Sequence, residues 1–181
     1  RCLYCNDVCN ICVGVCPNFA NVGFAVDTIE IPVYIVSKNG EKIIVKQEKN
    51  FSINQSNQIL TIGAFCNECG NCNTFCPTSV APYKTKPMFY LTEESFNSES
   101  FGYFYKEGIL KFKNNGSIEV LSAQENYLTY ESDKVNVKFN KDDFSLIDIK
   151  FNSGAIQEIN LSKAAEMFFL IKNLTEVSIF K

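Results

Sequence analysis

The stretch CNECGNCNTFCP, residues 66–77, places four cysteines at C-x2-C-x2-C-x3-C and closes with Pro77. This spacing holds cubane iron–sulfur clusters. A second, degenerate run, CNDVCNICVGVCP, occupies residues 5–17. Read back from its proline, Cys16, Cys12 and Cys9 match Cys76, Cys72 and Cys69. The cysteine nearest the remaining position is Cys5, one residue early, which makes the run C-x3-C-x2-C-x3-C-P. The extra residue falls in a loop on the outside of a cluster, where it is tolerable. Cys2 is left over. It reads as a free loop thiol; the alternatives are that it replaces Cys5 as a ligand or ends a preceding cysteine motif.

Composition narrows the chemistry. All nine cysteines of the 181 residues lie at or before Cys76. A disulfide framework would spread them to staple distant loops, so their confinement argues for metal. The chain has no histidine. That excludes Cys2His2 zinc, Rieske ligation, haem held by histidine, and every Ser-His or Cys-His catalytic pairing. Zinc held by cysteine alone uses two separated C-x2-4-C pairs, not a triple at strict spacing repeated twice. The formal charge of −3 becomes more negative when thiols ionise on a cluster, and there is no basic stripe, which argues against a nucleic-acid partner. No apolar run approaches the ~20 residues of a membrane span, and no signal peptide is visible. A cytoplasmic location is expected.

The ligand sets follow from the arrangement in two-cluster ferredoxins. There the x3 and Cys-Pro lead away from their own cluster, and the fourth cysteine ligates the other one. Applied to this chain, one [4Fe–4S] cluster takes Cys5, Cys9, Cys12 and Cys76. The other takes Cys66, Cys69, Cys72 and Cys16. Cross-ligation ties the two runs together and brings the clusters within electron-hopping reach. Two clusters suit a relay, whereas a scaffold needs only one. Gly70 lets its loop approach sulfide, and Pro17 and Pro77 turn the chain. Val8, Ile11, Val13 and Val15 are apolar neighbours of the first run. Phe65 and Phe75 flank the second, with simple core filling as their plainer role. Tyr83-Lys84 and Asp142-Asp143 read as surface groups, and no G-x-G-x-x-G is present for a flavin or nicotinamide.

The rest of the chain is mostly strand. FANVGFAV, TIEIPVYIV, EKIIVKQE and QILTIGAF are β-branched and partly alternating, with a turn at Asn39-Gly40 and a bulge or edge at Pro32. A short helical turn follows the second run. Residues 92–102 are polar and read as a linker. ILKFK-NNG-SIEVL and FSLIDIKF-NSG-AIQEI read as hairpins, and NYLTY and KVNVKF flank a turn. LSKAAEMFFLIKN (161–173) has an apolar stripe of helical period, with Ser162 or Asn160 as N-cap and Asn173 at the end. A last short strand, EVSIF, is possible. The expected fold class is α+β. A ferredoxin-like two-[4Fe–4S] module with an inserted β-hairpin (1–91) leads through the linker (92–102) to a small antiparallel β-domain with a C-terminal helix (103–181).

RCLYCNDVCNICVGVCPNFANV and FCNECGNCNTFCPTSVAPYK resemble the C-terminal ferredoxin region of the selenate reductase iron–sulfur subunit family, relatives of the glutamate synthase small subunit. The narrower match lies in RCL, CNECGNC and APYK, within residues 1–25 and 60–90. The insert at 18–65 departs from the family pattern. The resemblance implies an upstream flavoprotein portion with FAD and NAD(P)H sites. It also implies electron passage to a partner such as a molybdenum hydroxylase. The expected function is therefore electron transfer through two [4Fe–4S] clusters, as the C-terminal module of a larger oxidoreductase subunit. A stand-alone ferredoxin-type carrier and a non-redox metal-stabilised interaction module are the alternatives. The start at Arg1 favours a piece of a longer polypeptide.

Overall fold

The structure, a computed structural model, describes residues 9–152, 158–174 and 177–180. Cys2, Cys5 and Val8 lie outside the described residues. In chain order the elements are α1 (Ile11–Gly14), β1 (Asn21–Ala25), β2 (Ile29–Asn39), β3 (Lys42–Ile53) and β4 (Asn57–Ile62). Next come α2 (Asn71–Thr74), α3 (Pro82–Thr85), β5 (Met88–Tyr90) and α4 (Glu93–Ser98). Strands β6 (Phe101–Lys106), β7 (Ile109–Asn114), β8 (Ser117–Ala123), β9 (Tyr127–Glu131), β10 (Val135–Asn140) and β11 (Leu146–Phe151) follow, then β12 (Ile159–Asn160) and α5 (Ser162–Leu174).

The architecture is α+β. One nine-stranded sheet runs β1-β4-β5-β6-β7-β8-β9-β10-β11, and β12-β2-β3 form a second sheet. β5 lies parallel to both β4 and β6. The other pairings are antiparallel. Alternation explains the strands: in β10, Val135, Val137 and Phe139 are buried and Lys138 is exposed. Opposite Val137 stands Tyr130, whose phenol donates to Glu119 Oε2 at 2.6 Å. Burial, and then the Glu119 charge, push the Tyr130 phenol far above its ordinary range. A folded-state value raised in this way adds stability that is complete below pH ~10 and lost as pH rises further. The denaturation midpoint is therefore expected to fall above pH ~10, and Tyr130→Phe to flatten that fall in chemical denaturation across pH.

The helix α5 is apolar on more than one side. Ala164, Ala165, Met167, Phe168, Phe169, Leu170, Ile171 and Leu174 are all buried. The sequence stripe predicts one packed face, but the helix lies between the sheets, packing on β2 and β3 of one and on β7 and β8 of the other. A helix apolar all round belongs in such an interior. Asn173 does not end it: its side chain donates to Phe169 O at 2.8 Å and accepts from Asp27 N at 3.1 Å. Asn160 Oδ1 accepts from Ser162 N at 2.8 Å and starts the helix.

Several local expectations are corrected. Residues 92–102 carry α4 rather than an open linker. Thr92 caps it by accepting from Ser95 N at 3.1 Å, and Phe96 buries its ring at 1% exposure against Phe104. Lys113 Nζ closes the far end, bonding Phe96 O at 2.8 Å and Asn97 O at 3.0 Å. Polarity there reflects capping, not disorder. Thr92→Ala is expected to cost about 1 kcal/mol of stability by denaturant titration. The β2–β3 turn is centred on Gly40-Glu41, one residue later than the Asn39-Gly40 step, because Asn39 pairs with Lys42 and Gly40 takes φ +62°. Pro32 does sit beside a register shift in β2. Residues 153–157 lie outside the described residues, and Ile159–Asn160 pair with β2 rather than closing a hairpin on β11. Ser178–Phe180 form a 3-10 turn, not a strand. Among the described residues no helix is long and apolar enough to cross a membrane.

Candidate metal centres

From Asn10 and from Gly70 onward the two cysteine runs fold as copies of one another. α1 and α2 each complete one turn: Val15 N donates to Ile11 O at 3.0 Å, and Phe75 N to Asn71 O at 3.1 Å. After each turn, Phe19 N reaches Cys16 O at 3.2 Å and Ser79 N reaches Cys76 O at 3.1 Å. Left-handed residues stand at matching places, Asn10 (φ 49°) with Gly70 (φ 80°), and Phe19 (φ 54°) with Ser79 (φ 55°). The surrounding protein leaves room for a Cβ at Gly70, so glycine serves the left-handed backbone there, which Asn10 adopts in the first run. The strands β1 and β4 bring the runs side by side, pairing from Asn21↔Thr61 to Ala25↔Asn57. Asn21 locks this junction. It donates to Cys12 O at 2.9 Å and accepts from Thr61 Oγ1 at 2.8 Å.

Two cavities open around the cysteines. The first, partly open to solvent, is lined by Cys9 and Cys12 of the first run and Cys76 of the second. The other is lined by Cys66, Cys69 and Cys72 of the second run and Cys16 of the first. Each cavity thus draws its thiols from both runs. Cys5, the fourth thiol assigned to the first cavity by sequence, is outside the described residues. Between the cavities Cys12 and Cys72 pack with Ile59, backed by Val13, Val15 and Tyr83. Cys9, Cys12, Cys16, Cys66, Cys69, Cys72 and Cys76 form no disulfide with one another. Among the described residues no three potential ligands are arranged to hold a single metal ion.

The donor set suits clusters that bind one thiolate per iron. Cys16 Sγ accepts from Ala20 N at 3.3 Å, and Cys76 Sγ lies 3.2 Å from Thr78 Oγ1. Burial pushes the Cys66 thiol up, and the neighbouring Cys16 and Cys72 add to it. Burial would also raise Cys76, but hydrogen bonds from Thr78 and Val80, with Lys86 nearby, bring it below the ordinary thiol range. Gln58, buried at the edge of the first cavity, leaves its Oε1 without a hydrogen-bond partner among the described residues. A buried orphan acceptor of this kind is costly, and it calls for an N–H or O–H donor, which a thiolate-bound sulfide cluster does not carry.

The apolar residues divide differently from expectation. Val13 and Val15 are half-buried against the partition, and Ile11 lines the first cavity while 40% exposed. Phe65 and Phe75 are neither core filling nor buried shields, at 46% and 58% exposed. Their positions beside Cys66 and Cys76 hold them on the outer rim. Lys86, Gln58 and Asn21 carry no motif and were invisible in the sequence; only the fold brings them to the cavities. The approach to Cys66 is fixed by Tyr90, whose ring sits between Gly63 and Gly102, where a Cβ on either glycine would collide with it.

The chain is similar to a segment of two curated proteins. Two curated relatives, both bearing the name "Putative oxidoreductase YgfK", come from Escherichia coli strain K12 and from Escherichia coli O157:H7. Each is 36% identical over 123 residues, which is 67% of this chain and 10% of the relative. The chain therefore spans about a tenth of the length of these curated relatives. No family model matches the chain, and no solved structure matches it.

Proposed function

We propose that the chain is an electron-transfer segment of an oxidoreductase, in which Cys5, Cys9, Cys12 and Cys76 hold one [4Fe–4S] cluster and Cys16, Cys66, Cys69 and Cys72 hold a second. The observation that carries this reading is the composition of the two cavities. The second collects Cys16 with Cys66, Cys69 and Cys72, and the first collects Cys76 with Cys9 and Cys12, so each mixes the two runs as cross-ligation would. Such clusters, when bound, accept and release one electron at a time. The chain's own part is to supply the thiolates, to donate to their sulfurs from Ala20 N and Thr78, and to hold Cys12 and Cys72 against Ile59 between the sites.

The similarity to a segment of a much longer oxidoreductase supports a module over a stand-alone carrier. The finer assignment, to the selenate reductase iron–sulfur subunit family, rests on RCL, CNECGNC and APYK. With it come the proposed partners: a flavoprotein portion carrying FAD and NAD(P)H, and a molybdenum hydroxylase. Anaerobic reconstitution tests the reading. About eight iron and eight sulfide per chain are expected, with an EPR signal after reduction. Two bound zinc ions in place of iron would overturn it, and eight iron without a reducible signal would leave a metal-stabilised scaffold instead of a relay.

A further inference from the structure

We propose that Tyr90 is a positioning residue of the centre of Cys16, Cys66, Cys69 and Cys72: its ring, wedged between Gly63 and Gly102, holds the turn that presents the Cys66 thiol. This deepens the two-cluster reading and rests on it.

Cys66 reaches that centre differently from its partners. Cys72 lies within α2, Cys69 just ahead of it, and Cys16 just past α1. Cys66 instead follows the 3-10 turn Gly63–Phe65 at the end of β4, and its N–H donates to Gly63 O at 3.1 Å. Beyond the turn the backbone is extended, with φ −85° and ψ 114° at Cys66. The position of Gly63 therefore decides where Cys66 begins. A metal-site ligand must be held within about 0.5 Å of its working position, and Gly63 and Ala64 carry little side chain with which to hold the turn themselves.

Strand register brings Tyr90 to this turn. Ile62 stands level with Phe89 across the parallel β4–β5 pair, so Tyr90 comes beside Gly63. On the other side Phe89 pairs with Tyr103 of β6, and Gly102 meets the same ring. A Cβ at Gly63 would overlap Cδ1, Cε1 and Cζ of Tyr90, and one at Gly102 would overlap Cε2. The backbone of Gly63 is not left-handed, so the closeness of the ring is what calls for glycine there. The ring is itself anchored, packed with Phe96, Phe104 and Met88. Its hydroxyl donates to Met88 Sδ at 3.2 Å, a weak acceptor, so the grip comes from the bulk of the ring. Without that bulk the turn loses its backing, and Cys66 is the ligand that moves. Cys9, Cys12 and Cys76 lie on other segments and are not carried by this turn.

The test is anaerobic reconstitution of the whole chain and of Tyr90→Phe, Tyr90→Leu and Gly63→Ala. The readouts are iron content, EPR, and alkylation of each cysteine mapped by mass spectrometry. Tyr90→Phe should load about eight iron, like the unaltered chain. Tyr90→Leu should keep about four. In it Cys16, Cys66, Cys69 and Cys72 should be alkylated about tenfold faster, with Cys9, Cys12 and Cys76 still protected. Gly63→Ala displaces the ring without removing it and should give the same pattern. A role confined to core packing would instead lower the denaturation midpoint and expose both sets of thiols together. Full loading of Tyr90→Leu, equal loss from both centres, or a Tyr90→Phe variant as defective as Tyr90→Leu overturns the inference and leaves the cluster reading standing. If Tyr90→Leu loses the native circular dichroism, Gly63→Ala decides by the same criteria. Loss of the fold in both also overturns the inference, because the ring then serves the fold and not Cys66. Failure of the unaltered chain to take up iron sinks the underlying reading instead.

Discussion

Cys76→Ser is expected to remove the iron held with Cys9 and Cys12 and to leave the centre of Cys16, Cys66, Cys69 and Cys72 loaded. Iron should fall from about eight to about four per chain. Sequence adjacency alone would assign Cys76 to its own run and forecast the opposite loss. The fold argues otherwise. After the turn of α2, Cys76 faces the cavity of Cys9 and Cys12, beside Pro77, Thr78 and Lys86. Cys16, its counterpart after α1, faces the cavity of Cys66, Cys69 and Cys72. Cys16→Ser is accordingly expected to give the reciprocal loss. EPR of the two variants distinguishes the remaining centres, since their surroundings differ. Finding the same centre lost in both, or the second-run centre lost in Cys76→Ser, refutes the cross-ligation. Cys2→Ser should retain about eight iron and Cys5→Ser should not.

Phe169→Ala is expected to destabilise the protein by about 3–5 kcal/mol, the range for removing a fully buried ring. Phe169 is 0% exposed and its ring lies 6.1 Å from that of Phe51 on β3. The helix that carries it is held between two sheets, so neighbours cannot collapse from one side to fill the space. Nearby, Phe139, Phe144 and Phe168 stack in series, at 4.1 Å and 4.9 Å between successive centroids. This aromatic packing fixes α5 in its place. In urea the midpoint should fall at constant slope. The cysteine cavities lie outside this core, so iron loading under native conditions should be unchanged. A loss below about 1 kcal/mol would mean that the two sheets close around the gap.

The residues differ in how far the sequence could speak for them. Cysteine spacing is a local property, because a one-turn helix between ligands fixes where the next thiol goes. The repeat of Cys9, Cys12 and Cys16 in Cys69, Cys72 and Cys76 could therefore be read directly. Strand alternation in β10 and the bulge at Pro32 are local in the same sense. Residues 92–98 misled because a capped helix and a polar linker share Thr, Glu and Ser, and only the pocket for Phe96 separates them. Phe65 and Phe75 misled because hydrophobicity measures what a side chain prefers, not whether anything covers it.

By itself, then, the sequence determined the cysteine spacing, the exclusion of histidine sites, the two-run repeat and the helix near the C-terminus. Tertiary structure decided how these meet. The partnership of β1 with β4 sets the two runs side by side, and the parallel insertion of β5 between β4 and β6 carries one sheet from the cysteine loops to β11. The same packing delivers Lys86 to one cavity and leaves Glu68 at the other. Lys86 is part of no motif, whereas Glu68 belongs to CNECGNC itself. Glu68 is placed locally, between Cys66 and Cys69, but the placement of Lys86 comes from long-range strand pairing, whose partners are far apart in the chain and whose register is set by burial.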